Sequence, residues 1–180
     1  TEAVLKQIQA SPADKQGNYL AVLASIGGKK ALKSVVEAYG NGDAAKKKSA
    51  IAALSAWSDA SAAKELLTIA RSTFNSDDFN AALTGYVSAT AKSGKTAANK
   101  VIMLREALAI AKTDAQKEAI LKELGRNRTF NALMLAGDYL DNAGTQQAAA
   151  QAVMNIALAN KNLYSAEIRT LLTKAGPLLK

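Results

Sequence analysis

The chain has 180 residues and a formal charge of +8, from 23 basic and 15 acidic side chains. Alanine supplies 39 residues and leucine 21, while Cys and His are both absent. An alanine-rich chain poor in β-branched residues excludes a sheet-rich fold, and the missing Cys and His exclude disulfides, thiolate chemistry, His-based triads and ordinary zinc sites.

Apolar residues recur at three and four spacing along almost the whole chain, which predicts helices. Eleven are expected, over 2–10, 14–26, 29–39, 44–57, 60–72, 77–91, 96–112, 114–124, 129–140, 145–159 and 165–179. The breaks carry turn and cap chemistry. Ser11-Pro12 reads as an N-cap followed by proline at the first helical position, and Gly27-Gly28 ends the next helix. Gly40-Asn41-Gly42-Asp43 reads as a turn leading to a cap. Asp59, Ser76, Thr96 and Ser165 are further cap candidates, and Thr113 with Gln116 forms a T-x-x-Q capping box. Apolar runs are broken by Lys, Asn or Asp before about 18 residues, so no membrane span is expected. The chain opens on Thr1 rather than Met, which predicts a processed product or a piece of a longer polypeptide.

The helices fall into pairs, and the second members align on one apolar step. That step is Leu23/Ile26, Ile51/Leu54, Leu83/Tyr86, Leu121/Leu124 and Val153/Ile156, at offsets of 28, 32, 38 and 32 residues. Self-similarity at such a period predicts a stacked repeat array, in which neighbouring pairs complete one another's core. The abundant alanines fit close helix–helix approach. The expectation is an all-α fold, an α-α superhelix of about five to six helical pairs, spanning residues 1–180 as one domain.

Particular segments resemble HEAT-type repeats of the HEAT/armadillo-like solenoids. They are Ala50-Ile51-Ala52-Ala53-Leu54 with Trp57-Ser58-Asp59, then Ala63 to Leu67, Ala82 to Val87, Lys100 to Ala111, Lys117 to Gly125, and Asp138 to Asp141. In that order they are similar to HEAT-like regions of large bacterial proteins that also carry a jelly-roll domain of the 3-keto-disaccharide hydrolase type. The resemblance covers about residues 14–160. It implies an accessory module of a bacterial cell-envelope or secreted protein concerned with carbohydrate, in a periplasmic or secreted setting. No jelly-roll sequence is present in these 180 residues, so no hydrolase residue is carried over.

Several short motifs read as structure. Ser93-Gly94-Lys95-Thr96 looks like the end of a P-loop, but Ala89 stands where the first glycine belongs and a helix precedes it. Trp57 follows Leu54 on the apolar stripe and is expected in the core, as are Phe79 and Tyr86. Tyr19, Tyr39, Tyr139 and Tyr164 are expected to keep their hydroxyls at the edge. Asp77-Asp78 suits the positive end of a helix dipole. Asp138 and Asp141 lack the patterned loop of a calcium site, and no carboxylate pair has the spacing of a glycosidase pair. Asn127-Arg128-Thr129 matches a glycosylation sequon, a three-residue match of the kind chance produces. No cofactor, metal or catalytic residue is therefore expected.

The resemblance also implies that second helices line the concave side. At about 100° per residue, positions opposite the anchors are found on each of them. They are Gly17, Ala21 and Ser25; Ala45, Ser49, Ala52 and Ala56; Asp77, Ala81, Thr84 and Ser88; Glu118, Lys122 and Arg126; and Gln147, Gln151 and Asn155. Only Lys122 and Arg126 are basic, so the lysine excess falls elsewhere. It concentrates in Lys46-Lys47-Lys48, in Lys29-Lys30 with Lys33, and in Lys92, Lys95, Lys100 and Arg105. This favours a protein partner, or a neighbouring domain of the same polypeptide, over nucleic acid. The candidate interaction face is Ser49, Ala52, Ala81, Thr84, Ser88, Lys122, Arg126, Gln147, Gln151 and Asn155. The leading expectation is a non-catalytic interaction scaffold. The alternative is a nucleic-acid-binding HEAT-like domain using basic edges. A HEAT-like DNA glycosylase would need aromatics beside an acid on the concave face, where the helical wheel puts Asp77 and Glu118 but no aromatic.

Overall fold

A computed structural model describes residues 2–160 and 162–179, with the side chains of Gln9, Ala13 and Asp14 excepted. The fold is all-α. Among the described residues there are eleven α-helices, two short 3₁₀ turns and no strand. The helices are α1 (Glu2–Ala10), α2 (Ala13–Ile26), α3 (Lys29–Asn41), α4 (Ala44–Ser55), α5 (Ala63–Ser72), α6 (Ser76–Lys92), α7 (Ala97–Ile110), α8 (Asp114–Leu124), α9 (Phe130–Gly137), α10 (Gln146–Ala159) and α11 (Ala166–Ala175). The chain divides into two compact units, Thr1–Gly94 and Lys95–Lys180.

In the first unit α1 packs on α2, α3 on α4 and α5 on α6, while α2, α4 and α6 pack side by side in that order. In the second unit α7 packs on α8 and α9 on α10, while α8 packs on α10 and α10 on α11. Second helices thus contact second helices within each unit, as expected if pairs complete one another's core. The anchors lie in these seams: Leu23, Ile51, Leu54, Leu83, Tyr86, Leu121, Leu124, Val153 and Ile156 are all buried. Each such side chain contributes about 1.5–3 kcal/mol through removal from water. Ile26 departs from the pattern at 44% exposure. It is the last residue of α2, directly before Gly27 and Gly28, whose φ values of 69° and 86° reverse the backbone. A left-handed backbone of this kind is where glycine costs least.

The close seams use small residues. Ala50, Ala53, Ala82, Ala149, Ala150 and Ala152 are buried among them. At Gly125, a Cβ would meet the Ala152 Cα at 3.1 Å, so the end of α8 lies nearly backbone to backbone against α10.

Local hydrogen bonds decide the helix ends. The Thr113–Gln116 capping box is present in full. Thr96 and Ser165 cap α7 and α11, and Asp43 accepts from the Lys46 N–H at 2.8 Å to start α4. Several ends differ from expectation: α3 runs on through Gly40 and Asn41, α9 stops at Gly137, α11 stops at Ala175, and three further ends have a local cause. Asn75, not Ser76, caps α6, because its Oδ1 accepts from both Asp77 and Asp78 N–H at 2.9 Å. The Ser11 hydroxyl turns back to donate to the Gln7 carbonyl, so Pro12 stands at the N-cap of α2 without a side-chain cap. Helix α4 stops at Ser55, two residues before Trp57. Asp59 then accepts from the Ser61 N–H and opens a 3₁₀ turn over Ala60–Ala62 ahead of α5.

Candidate functional site

The ten candidate face residues divide between the two units. In the first, Ser49 and Ala52 lie on α4, and Ala81, Thr84 and Ser88 lie on α6. Ala52, Ala81 and Thr84 are exposed, while Ser49 and Ser88 are half-buried. Ser49 is held at the α2–α4 seam, where its Oγ would sit 3.0 Å from a Cβ on Gly17. Ala81, Thr84 and Ser88 line a cleft of about 510 Å³ together with Ser55, Asp77, Asn80 and Gly85. This cleft carries hydroxyls, one amide and one carboxylate, and offers hydrogen bonds with little charge.

In the second unit Lys122 and Arg126 lie on α8 or just after it, and Gln147, Gln151 and Asn155 lie on α10. All five are exposed. Lys122, Gln151 and Asn155 line a cleft of about 490 Å³ together with Ala115, Glu118, Ala119 and Ala148. Gln151 Nε2 donates to Asn155 Oδ1 at 2.9 Å, so the two amides form one unit on the α10 surface. A second cleft of about 500 Å³ is lined by Arg126, Arg128, Asn155 and Leu158. Asn155 lines both clefts, which therefore adjoin at this residue. Arg126 pairs with Glu123 at 2.6 Å, and the Glu123 side chain is only 12% exposed. Gln147 lines neither cleft.

Most of the wheel's residues are exposed, Gly17, Ser49 and Ser88 being half-buried, and the wheel did not include Ser55, Arg128 and Leu158, which also line the clefts. Ser55 belongs to the far end of α4, Arg128 to a turn, and Leu158 to the last turn of α10. Leu158 alone left a signal, since it continues the Gln151–Asn155 face by three residues.

Four cations of the basic runs are engaged within the fold. Lys46 Nζ donates to Gln16 Oε1 at 2.7 Å, and Lys47 lies 5.7 Å from the centroid of the Tyr39 ring. Lys30 pairs with Glu2 at 2.9 Å and Lys33 with Glu37 at 3.7 Å. Such exposed pairs contribute little to stability, but they show these cations dispersed over several helix edges.

The aromatic and acidic candidates settle as structural parts. Trp57, Phe79 and Tyr86 are buried, and the Trp57 indole N–H has no hydrogen-bond partner. Tyr164 is exposed, whereas Tyr19, Tyr39 and Tyr139 are half-buried. Asp78 accepts from the Tyr39 hydroxyl at 3.1 Å, and Asp141 pairs with Lys174 at 2.5 Å. Asn127 of the sequon is buried, with its amide donating to the Glu123 carbonyl at 3.1 Å. Ser93-Gly94-Lys95-Thr96 is the turn between α6 and α7. Hydrogen bonds from Ser61 and Ser165 hold the Asp59 and Glu167 carboxyls below their ordinary range. Both carboxylates stand at helix starts, and a general acid needs the opposite shift. Among the described residues, no group of three or more acidic side chains is placed to hold a metal ion. Nor is any helix among them long and apolar enough to cross a membrane.

Comparison with protein families, with curated proteins and with solved structures found no match to this chain.

Proposed function

We propose that the chain is a HEAT-like α-solenoid module that binds protein and carries out no chemistry of its own. The observation that carries this reading is the two-sided character of the second helices. Their anchor sides are buried in the seams, and their opposite sides form accessible clefts lined by alanine, hydroxyl and amide groups. Such surfaces recognise shape and hydrogen-bonding groups. The partner is another protein or a neighbouring domain of the same polypeptide. The resemblance to HEAT-like regions adds the setting, an accessory part of a bacterial carbohydrate-related protein of the envelope or secreted space.

Phosphate recognition would draw on a shared basic groove. With Lys30, Lys33, Lys46 and Lys47 engaged by groups of the fold, Lys122, Arg126 and Arg128 are the cations that line clefts, and the alanines and the exposed Leu158 beside them favour protein as the partner.

A photo-reactive residue at Thr84 or Gln151, introduced in the producing cell, tests the reading. It should give a discrete protein adduct, within or between chains, that the same residue at Lys64 does not. Adducts at neither face position, or glycoside turnover by the purified 180-residue chain, would overturn it.

A further inference from the structure

The two adjoining clefts of the second unit have a polarity that the first unit's cleft lacks. One cleft, between α8 and α10, is lined by Ala115, Ala119 and Ala148 together with Glu118. Arg126, Arg128 and Leu158 line the other. Lys122 lines the first. Leu158 is 70% exposed, among the most exposed large apolar side chains of the chain. The Asn160 amide donates to the Arg128 carbonyl at 3.2 Å and ties the end of α10 to the α8–α9 turn. Leu158 and the two arginines therefore line one cleft.

We propose that this groove holds an acidic amphipathic helix of a protein partner. The assignment rests on the protein-binding reading above and names the chemistry of the partner. Cations flanking an exposed leucine call for a ligand with both carboxylates and apolar side chains. The carboxylates meet Lys122 and Arg128, and also Arg126, whose guanidinium holds Glu123 at 2.6 Å and keeps further N–H donors for a second carboxylate. The apolar side chains meet Leu158 and the alanine walls. A helix fits because α8, with 11 residues, provides a wall about 16 Å long. A third helix lying between two others is the helix-in-groove mode of recognition. Glu118 lies among the alanines of the first cleft and disfavours negative charge there, so the acidic residues of the partner gather toward Arg126 and Arg128. Nucleic acid would engage the cations but leave Leu158 and the alanine walls without a partner.

The test uses the full chain, labelled with nitrogen-15, and a synthetic peptide of about 18 residues, five helical turns. The peptide carries leucines at i, i+3/i+4 and i+7 spacing with glutamates on its flanks. A copy with lysine for glutamate and a short DNA duplex complete the set. The glutamate peptide should bind and shift amide signals of α8, α10 and the turn at Arg128. Arg126→Gln with Arg128→Gln should weaken it at least tenfold, about 1.4 kcal/mol or more. Leu158→Ser, at an exposed position and so tolerated by the fold, should weaken it severalfold; Lys64→Gln should leave it unchanged. Three results overturn the assignment: no binding or binding elsewhere, equal binding of the lysine peptide, or tighter binding of the duplex at the same amides. The cross-linking at Thr84 lies in the other unit, so adducts there with a silent α8–α10 groove would reject this occupant and leave the protein-binding reading intact.

Discussion

Gly85 of α6 lies against Ser55 of α4 so closely that a Cβ on Gly85 would meet the Ser55 Cβ at 3.0 Å and the Leu66 Cδ2 at 3.2 Å. The Ser55 hydroxyl would be nearer still, and it is committed to the Ile51 carbonyl at 2.8 Å. Alanine normally gains about 1 kcal/mol over glycine inside a helix. Here the clash should dominate, because overpacking a close seam costs about 1–3 kcal/mol. Gly85→Ala is expected to lower the urea midpoint, and Ser55→Ala in the same chain should restore part of it by removing the hydroxyl. A rise in stability for Gly85→Ala alone would show that the seam opens freely.

The capping box at the start of α8 makes a second prediction. Thr113 Oγ1 accepts from the Gln116 N–H at 3.3 Å, while Gln116 Oε1 accepts from the Thr113 N–H at 3.1 Å and from the Lys112 N–H at 2.7 Å. Thr113→Ala removes one half of this exchange and should cost about 0.5–2 kcal/mol. Thr113→Ser keeps the acceptor and should cost much less. Chemical denaturation of the three proteins measures the difference, and equal losses for Ala and Ser would remove the cap as the cause.

This capping box was readable because its chemistry is local: four consecutive residues contain donor and acceptor alike. The same holds for Gly27-Gly28 and for the apolar anchors, whose period alone places Leu54 and Leu121 in the core. Where neighbouring residues competed for a helix start, the sequence pattern pointed to Ser76 and Ser11, and the structure puts Asn75 and Pro12 at those N-caps. Asn75 caps α6 ahead of Ser76 because its amide oxygen reaches two N–H groups, and Ser11 bonds backward into α1. The candidate face was legible only helix by helix. A wheel finds the exposed side of α10, but it cannot find that Arg128, in a turn, meets Leu158 across a cleft. That neighbourhood depends on tertiary packing, as does the unpartnered indole N–H of buried Trp57.

Tyr39 links stability to alkaline pH. Burial pushes its phenol above the ordinary value of 10.0, the Thr73 hydrogen bond acts against this, and the Asp78 carboxylate reinforces it. Lys47, 5.7 Å from the ring centroid, is the nearby cation. With the folded value raised, the unfolded chain loses this proton first as pH rises. The contribution is fully present below about pH 10 and is lost as pH climbs through the folded value. Tyr39→Phe should cost about 0.5–1.5 kcal/mol at neutral pH through the lost hydrogen bond to Asp78. The gap between the two proteins should narrow above about pH 10. Urea midpoints of both proteins across this range read the gap directly, and lysine titration common to both cancels. A gap that stays constant or widens would contradict the assignment.

Adjacent alanines offer the sharpest check on which side of each second helix faces outward. Ala52 and Ala53 are consecutive in α4, yet Ala53 is buried at 2% exposure while Ala52 is exposed. Ala81 and Ala82 repeat the contrast in α6, with Ala82 at 0%. Composition and helix propensity are identical within each pair, so only the fold distinguishes them. Ala53→Glu and Ala82→Glu force an unpaired carboxylate into an apolar seam, a penalty of several kcal/mol that rivals the whole stability of a small domain. Ala52→Glu and Ala81→Glu leave the charge in water and should change stability by no more than about 0.5 kcal/mol. Far-UV circular dichroism with thermal melts separates the outcomes. The exposed-site variants should keep the native melt, and the buried-site variants should lose it. The exposed variants then serve the functional question as well. A folded Ala81→Glu protein places a new charge in the α6 cleft, and it should reduce cross-linking from Thr84, which lines the same cleft. Equal damage from both members of a pair would mean that the outward face assigned to these helices is wrong.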